Sequence, residues 1–177
     1  MWRRLVGTVA VGGLVAGAMF VAVRPALSAP GFAPHGVLLT DSDLGDALFG
    51  GGPLAPGERR KACTTVTNSG GGSGDVRLYG ATSGTGLDRF LDVTVARGIL
   101  SRDSAPGSCR GFQAQVVLFT GRLRAFPSSY DDAITDPYVS WSPGESHAYR
   151  ITVTLRDHLA AQGLTASQSF VWEGRTP

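Results

Sequence analysis

The sequence predicts an all-β protein, a single antiparallel β-sandwich of about 8–9 strands with one or two short helical turns. Three observations lead there. Apolar residues recur at every second position over short runs. Clusters of glycine, proline and serine separate those runs, at 50–53, 68–74, 82–86, 104–108 and 141–144. Helix-period segments are almost absent.

Taken in order, the chain begins with a leader. Met1-Trp2-Arg3-Arg4 is a basic head, residues 5–23 are apolar, and Ala26 and Ser28 are the small residues of a signal-peptidase site. The expectation is a helical signal peptide over 1–28, cut between Ser28 and Ala29, ahead of one β-sandwich domain over 29–177. A retained membrane anchor competes, since residues 5–23 are long enough to span a bilayer. Gly7, Gly12, Gly13 and Gly17 keep that run only mildly apolar, and Pro25 ends any helix. The Arg3-Arg4 pair also fits a twin-arginine signal. Each alternative predicts export, to the cell surface or medium.

The strands follow. "HGVLLT" (35–40) is a candidate, and "CTTVTN" (63–68) another. Val76 and Leu78 alternate with Asp75, Arg77 and Tyr79; Leu91, Val93 and Val95 alternate with Asp92, Thr94 and Ala96. "QAQVVLFTGRL" (113–123) comes next. Tyr149, Ile151, Val153 and Leu155 form the cleanest alternation, and Ala166, Gln168, Phe170 and Trp172 share a face. Helical turns are expected over 126–134, where Ser129 and Asp132 resemble a capping box, and over 157–163, closed by Gly163.

One device occurs twice. "LAPGE" (54–58) and "WSPGE" (141–145) each precede a Thr-Val-Thr by six residues. Proline fixes φ at one turn position and glycine supplies positive φ at the next, so each chain reversal enters a strand. Leu54 and Trp141 are placed to plug the ends of the core. Aligning Val66 with Val153 turns Ala62 and Thr64 inward and Cys63 outward.

Composition bounds the partners. Residues 1–28 hold three of the sixteen basic side chains and no acid, leaving thirteen basic against fourteen acidic in 29–177. The basicity therefore belongs to the leader and argues for no nucleic-acid partner. Two cysteines in an exported chain predict one disulfide, Cys63–Cys109. Its closure is worth about 4 kcal/mol on the chain-entropy model, and the parity of Cys63 predicts that it pins a loop across an outer face or edge.

Candidate chemistry is sparse. "NSGGGSGD" (68–75) lacks the Gly-Lys-Ser/Thr ending of a phosphate loop and reads as a hairpin loop. Asp41, Asp43 and Asp46 of "DSDLGD" suggest calcium, but the EF-hand glycine and final glutamate positions are not filled, which leaves a solvated turn or an edge site. His147 and His158 stand eleven residues apart with no His-Glu-x-x-His, and His35 lies near the domain's start. Asp131-Asp132 sit where acids favour a helix start rather than as a catalytic pair. Exposed Tyr79, Tyr130, Tyr138 and Trp141 would suit a carbohydrate site, or equally fill core and turns. No residue is assigned a catalytic, cofactor-binding or metal role, and no cofactor is expected.

The ordered set "LTDSDLGDALFGGGPLAPGE", "CTTVTNSGGGSGDVRLYG", "GLDRFLDVTVARG", "SCRGF", "VLFTGRL", "WSPGESHAYRITVTL" and "AAQGLTASQSFVWE", behind a Gly/Ala-rich leader, resembles the exported proteins related to TasA and camelysin. That resemblance implies a jelly-roll-like sandwich whose leader is processed by a SipW-type signal peptidase. It implies a non-catalytic surface or biofilm-matrix role, with copies of itself or other matrix proteins as partners. An N-terminal segment would complete a neighbour's sheet, and 36–40 is the part of 29–40 free of proline. Camelysin-like members imply a metalloendopeptidase as the alternative, although no zinc-ligand motif is carried over here. The remaining alternative is a carbohydrate- or calcium-binding module.

Overall fold

Period-two alternation builds two sheets. The computed structural model describes residues 4–12, 36–43, 46–101, 104–137 and 140–176. Its strands are β1 (Arg4–Gly12), β2 (Leu39–Asp41), β3 (Arg59–Asn68), β4 (Asp75–Gly84), β5 (Leu91–Ile99), β6 (Gln113–Arg122), β7 (Ile134–Thr135), β8 (Ser146–Leu155) and β9 (Thr165–Arg175). They form an antiparallel four-stranded sheet, β1-β9-β4-β7, and an antiparallel five-stranded sheet, β2-β3-β8-β5-β6.

The apolar positions picked out by alternation line one core. Val76 and Leu78, Leu91, Val93 and Val95, Tyr149 to Leu155 at odd positions, and Ala166, Phe170 and Trp172 are all buried in it. The Tyr149 and Trp172 rings meet across the two sheets at 5.3 Å. Fully burying each large apolar side chain contributes about 1.5–3 kcal/mol. Leu54 and Trp141 are buried too, as the turn device predicts.

That device generates a local two-fold axis between β3 and β8, which pair antiparallel from Arg59↔Thr154 to Thr67↔Ser146. At one end Gly57 N donates to Leu155 O (2.8 Å) and Leu155 N to Glu58 O (3.0 Å). At the other, Gly144 N donates to Asn68 O (2.7 Å) and Asn68 N to Glu145 O (2.9 Å). Gly57 and Gly144 have φ of 76° and 79°, conformations that favour glycine.

Three expectations are corrected. Residues 4–12, expected within a leader helix, are extended as β1 on the outer edge of β9. Gly7 and Gly12 weaken a helix there, and a proline-free Val/Thr run satisfies the edge's backbone groups. The loop 68–75 closes no hairpin, because β3 and β4 lie in different sheets. Asn68, fully buried, pins this crossover: Oδ1 accepts from Leu38 N and Gly70 N, and Nδ2 donates to Gly72 O and Trp141 O. No helix forms over 126–134; Ser129 Oγ donates to Asp132 Oδ2 at 3.1 Å, but the pair closes only a turn because Ile134–Thr135 joins β4. A 3₁₀ turn precedes it at Leu123–Ala125. Of the two readings open for the aromatics, Tyr79 and Trp141 take the buried one. The predicted turn over 157–163 is a 3₁₀ turn, Leu159–Ala161, followed by Gly163 at φ 72°.

Candidate functional site

A cluster of ionisable side chains lies at the end of the sandwich plugged by Trp141. Extending the inward parity of β5 by one step points Arg97 into the core, opposite Tyr149 of β8. A guanidinium on a buried face requires a counter-charge. Asp136, which follows β7, supplies it: Arg97 Nη1 lies 3.4 Å from Asp136 Oδ1, and both side chains are at most 5% exposed. The Tyr149 hydroxyl donates to Asp136 Oδ2 at 2.9 Å. Burial, and then the Asp136 charge, push the Tyr149 phenol well above its usual 10.

His147 joins this group to the turn. Its Nδ1 is 3.1 Å from Arg97 Nη1, its Nε2 is 2.8 Å from Glu145 Oε1, and its ring packs 4.4 Å from that of Trp141. Partial burial pushes the Glu145 carboxyl up, but the Ser142 N–H (2.7 Å) and His147 outweigh it and hold the carboxyl below 4.5. Both ring nitrogens of His147 are thus engaged in a structural network. His158 stands beyond the opposite end of β8, its Nδ1 accepting from Ala160 N and its ring on Phe90. At about 3.3 Å per residue, β8 separates the two histidines by about 25 Å or more, too far to share one zinc ion.

The acidic turn is part of the disulfide's setting. Cys63 and Cys109 are bonded, with Cα atoms 5.0 Å apart. Cys63 points outward by parity yet is 1% exposed, because the loop around Gly107 runs along the β3 edge and Cys63 N donates to Gly107 O at 3.1 Å. The predicted edge-pinning disulfide is therefore the observed one. Asp43 Oδ1 accepts from Gly107 N (3.1 Å) and Asp41 Oδ1 from Asp43 N (3.0 Å). Burial raises the Asp43 carboxyl above its usual range, against a hydrogen bond with Thr64. Asp46 is exposed. Asp43 thus latches a loop. Among the described residues, no three His, Cys, Asp or Glu side chains converge as a metal site.

A second network lies outside the four-stranded sheet. Tyr79 donates to the buried carboxylate of Glu173, which also accepts from Arg175 Nε at 3.1 Å. Tyr130 leans across this face, with Arg175 3.4 Å and Arg77 4.5 Å from its ring centroid. Cation–π contact with two guanidiniums occupies that ring. Of the four aromatics suggested for a carbohydrate site, Tyr79, Tyr130 and Trp141 are built into the scaffold, and Tyr138 lies outside the described residues. Arg97, Asp136 and Glu173 were not singled out from sequence. The inward parity of "LDVTVAR" flags Arg97, whereas Glu173 shares the outward parity of a solvated residue.

The remaining feature is an edge. β9 pairs with β4 on one side and with β1 on the other, from Arg4↔Glu173 to Gly12↔Thr165. The expected donor segment, 36–40, enters its own five-stranded sheet instead, as Leu39 and Thr40 of β2 pair with Asn68 and Thr67. Ser28, Ala29 and His35 lie outside the described residues. Among the described residues no helix is long and apolar enough to cross a membrane. No protein-family model matches the chain, and no curated protein matches it.

Proposed function

We propose that the chain is an exported, non-catalytic structural protein of a cell surface or extracellular matrix, which associates through strand pairing at the β9 edge. The observation that carries this reading is that residues 4–12, the head of the sequence's signal-like leader, complete that edge. Removal of the leader by signal peptidase leaves the outer side of β9 with unpaired backbone donors and acceptors. A strand from a second copy, or from another matrix protein, satisfies them by β-augmentation. The resemblance to TasA-like proteins supports the same role. The scaffold character of the His147 and Glu173 networks and the separation of His147 from His158 weigh against the metalloendopeptidase alternative.

Electron microscopy and light scattering on the leaderless chain, residues 29–177, test the reading. It should form fibres or oligomers, and a synthetic peptide of residues 4–12 should suppress them while a scrambled peptide does not. A folded leaderless chain that stays monomeric at high concentration would sink strand pairing. Chelator-sensitive proteolysis lost in His147→Ala or His158→Ala would replace it with the protease.

A further inference from the structure

The outer face of the five-stranded sheet carries a feature that strand pairing at β9 does not use. Outward positions fall into ranks across β3, β8, β5 and β6. One rank is Arg59, Thr154, Asp92 and Arg122; the next is Lys61, Thr152, Thr94 and Thr120; the third is Cys63, Arg150, Ala96 and Val117. Neighbours within a rank are spaced by about 4.8 Å and ranks by about 6.7 Å.

The charge on this shelf is one-sided. Among the described residues, Arg59, Lys61, Arg122, Arg150 and Arg156 share this face with a single acid, Asp92, which lies 3.0 Å from Arg122 Nε and 3.9 Å from Arg156 Nε. Among the described residues of 29–177, five of the twelve cations but one of the thirteen acids are here, leaving seven basic against twelve acidic side chains elsewhere. Arg59 and Lys61 are exposed and have no ion pair among the described residues. The hydroxyls of Thr94, Thr120, Thr152 and Thr154 have no protein hydrogen-bond partner there either. The disulfide loop walls off the third rank, where the Arg150 guanidinium lies 4.9 Å from the Phe112 ring centroid.

We infer that this shelf binds an extended acidic polysaccharide. Cations at both ends of the first rank, about 14 Å apart, match negative charge repeated along a chain, and the adjoining row of hydroxyls offers donors and acceptors to sugar hydroxyls. Continuous ranks of outward side chains across four strands suit a linear polymer. Among the described residues Val117 is its only exposed large apolar side chain, too little to insert into a bilayer, and none is an exposed aromatic that could stack on a base.

Retention of the purified full chain on immobilised alginate, with neutral dextran, anionic vesicles and single-stranded DNA as parallel probes, tests this. Alginate should bind in a salt-sensitive manner and dextran should not. Arg59→Glu with Lys61→Glu should weaken alginate binding about tenfold or more, and Asp92→Asn should strengthen it. Thr94→Val with Thr152→Val should weaken it severalfold at unchanged charge. Asp131→Lys, which adds positive charge away from the shelf, should leave it unchanged. Equal binding to dextran, indifference to the Arg59/Lys61 pair, or an equal gain from Asp131→Lys would overturn the inference. So would tighter binding to vesicles or DNA, and indifference to the threonine pair would remove the polysaccharide as the ligand.

Discussion

Glu58 and Glu145 are related by the local two-fold axis between β3 and β8. Each accepts a turn N–H through Oε2, Ala55 N at 2.8 Å for one and Ser142 N at 2.7 Å for the other. Each turns Oε1 to the side chain two residues on, Arg60 Nε and His147 Nε2, both at 2.8 Å. The Pro-Gly-Glu tripeptide is thus a self-contained strand starter. It closes the turn with the carboxylate and aims the following strand with glycine.

The matching geometry predicts matching costs. A Cβ at Gly57 or Gly144 would meet nothing within 4 Å, so an alanine there is penalised only by its positive φ. Gly57→Ala and Gly144→Ala should each lose about 1–2 kcal/mol. The two turns lie at opposite ends of the strand pair, so the double variant should be additive in denaturant unfolding. A clear excess over the sum would mean that the turns fold as one unit.

Acid should act on the same pair. The Ala55 N–H and Arg60 hold the Glu58 carboxyl below 4.5, and Glu145 is also below 4.5. A carboxyl whose folded pKa is depressed stabilises above its unfolded pKa and loses that contribution as pH falls through the folded value. Thermal stability should therefore decline below about pH 4.5. Glu58→Gln with Glu145→Gln should flatten that limb, and an unchanged slope would assign acid sensitivity elsewhere.

Asp136 and Tyr149 should differ sharply on substitution. Asp136→Asn leaves the Arg97 guanidinium buried without its carboxylate and should cost about 3–5 kcal/mol. Tyr149→Phe removes one hydroxyl from a carboxylate still paired with Arg97 and should cost about 1.5–3 kcal/mol. Equal losses in urea melts would show that the hydroxyl, not the ion pair, organises this end of the sandwich.

The contrast between these two residues also shows what was legible in the sequence. Tyr149 was placed in the core by alternation alone, because a strand's period of two is a local property. Leu54 and Trp141 were legible for a similar reason, since proline and glycine fix a turn within five residues. Asp136 was not, because its role depends on Arg97, brought to it only by tertiary packing. Asn68 looked like the first residue of a hairpin loop, and only the crossover between sheets makes it a buried hub. The edge on which residues 4–12 settle is equally invisible locally.

Asp43 gives a pH effect of the opposite sign. Its carboxyl is raised above 3.8 by burial, so the folded state prefers the neutral form and loses stability as pH rises through the folded pKa. Asp43→Asn keeps an acceptor for Gly107 N without the buried charge. Near neutral pH it should raise Tm by about 2–4 °C, and the gain should vanish below about pH 3.8, where both side chains are neutral. A loss of stability at neutral pH would mean that the charge itself holds the loop.

The disulfide should dominate these terms. Cys63 and Cys109 are 46 residues apart in sequence, and closing that loop restricts the unfolded chain by about 4 kcal/mol. That is a large part of the 5–15 kcal/mol typical of a domain. Cys63→Ala with Cys109→Ala should still fold, because Cys63 N–Gly107 O and Asp43–Gly107 also hold the loop and the core lies on the other face of β3. It should melt well below the oxidised parent and unfold with a larger m-value, since the uncrosslinked chain exposes more surface. Reduction of the parent should reproduce both changes. A variant as stable as the parent would show that the backbone contacts at Gly107 suffice, and that the bridge only records the proximity they create.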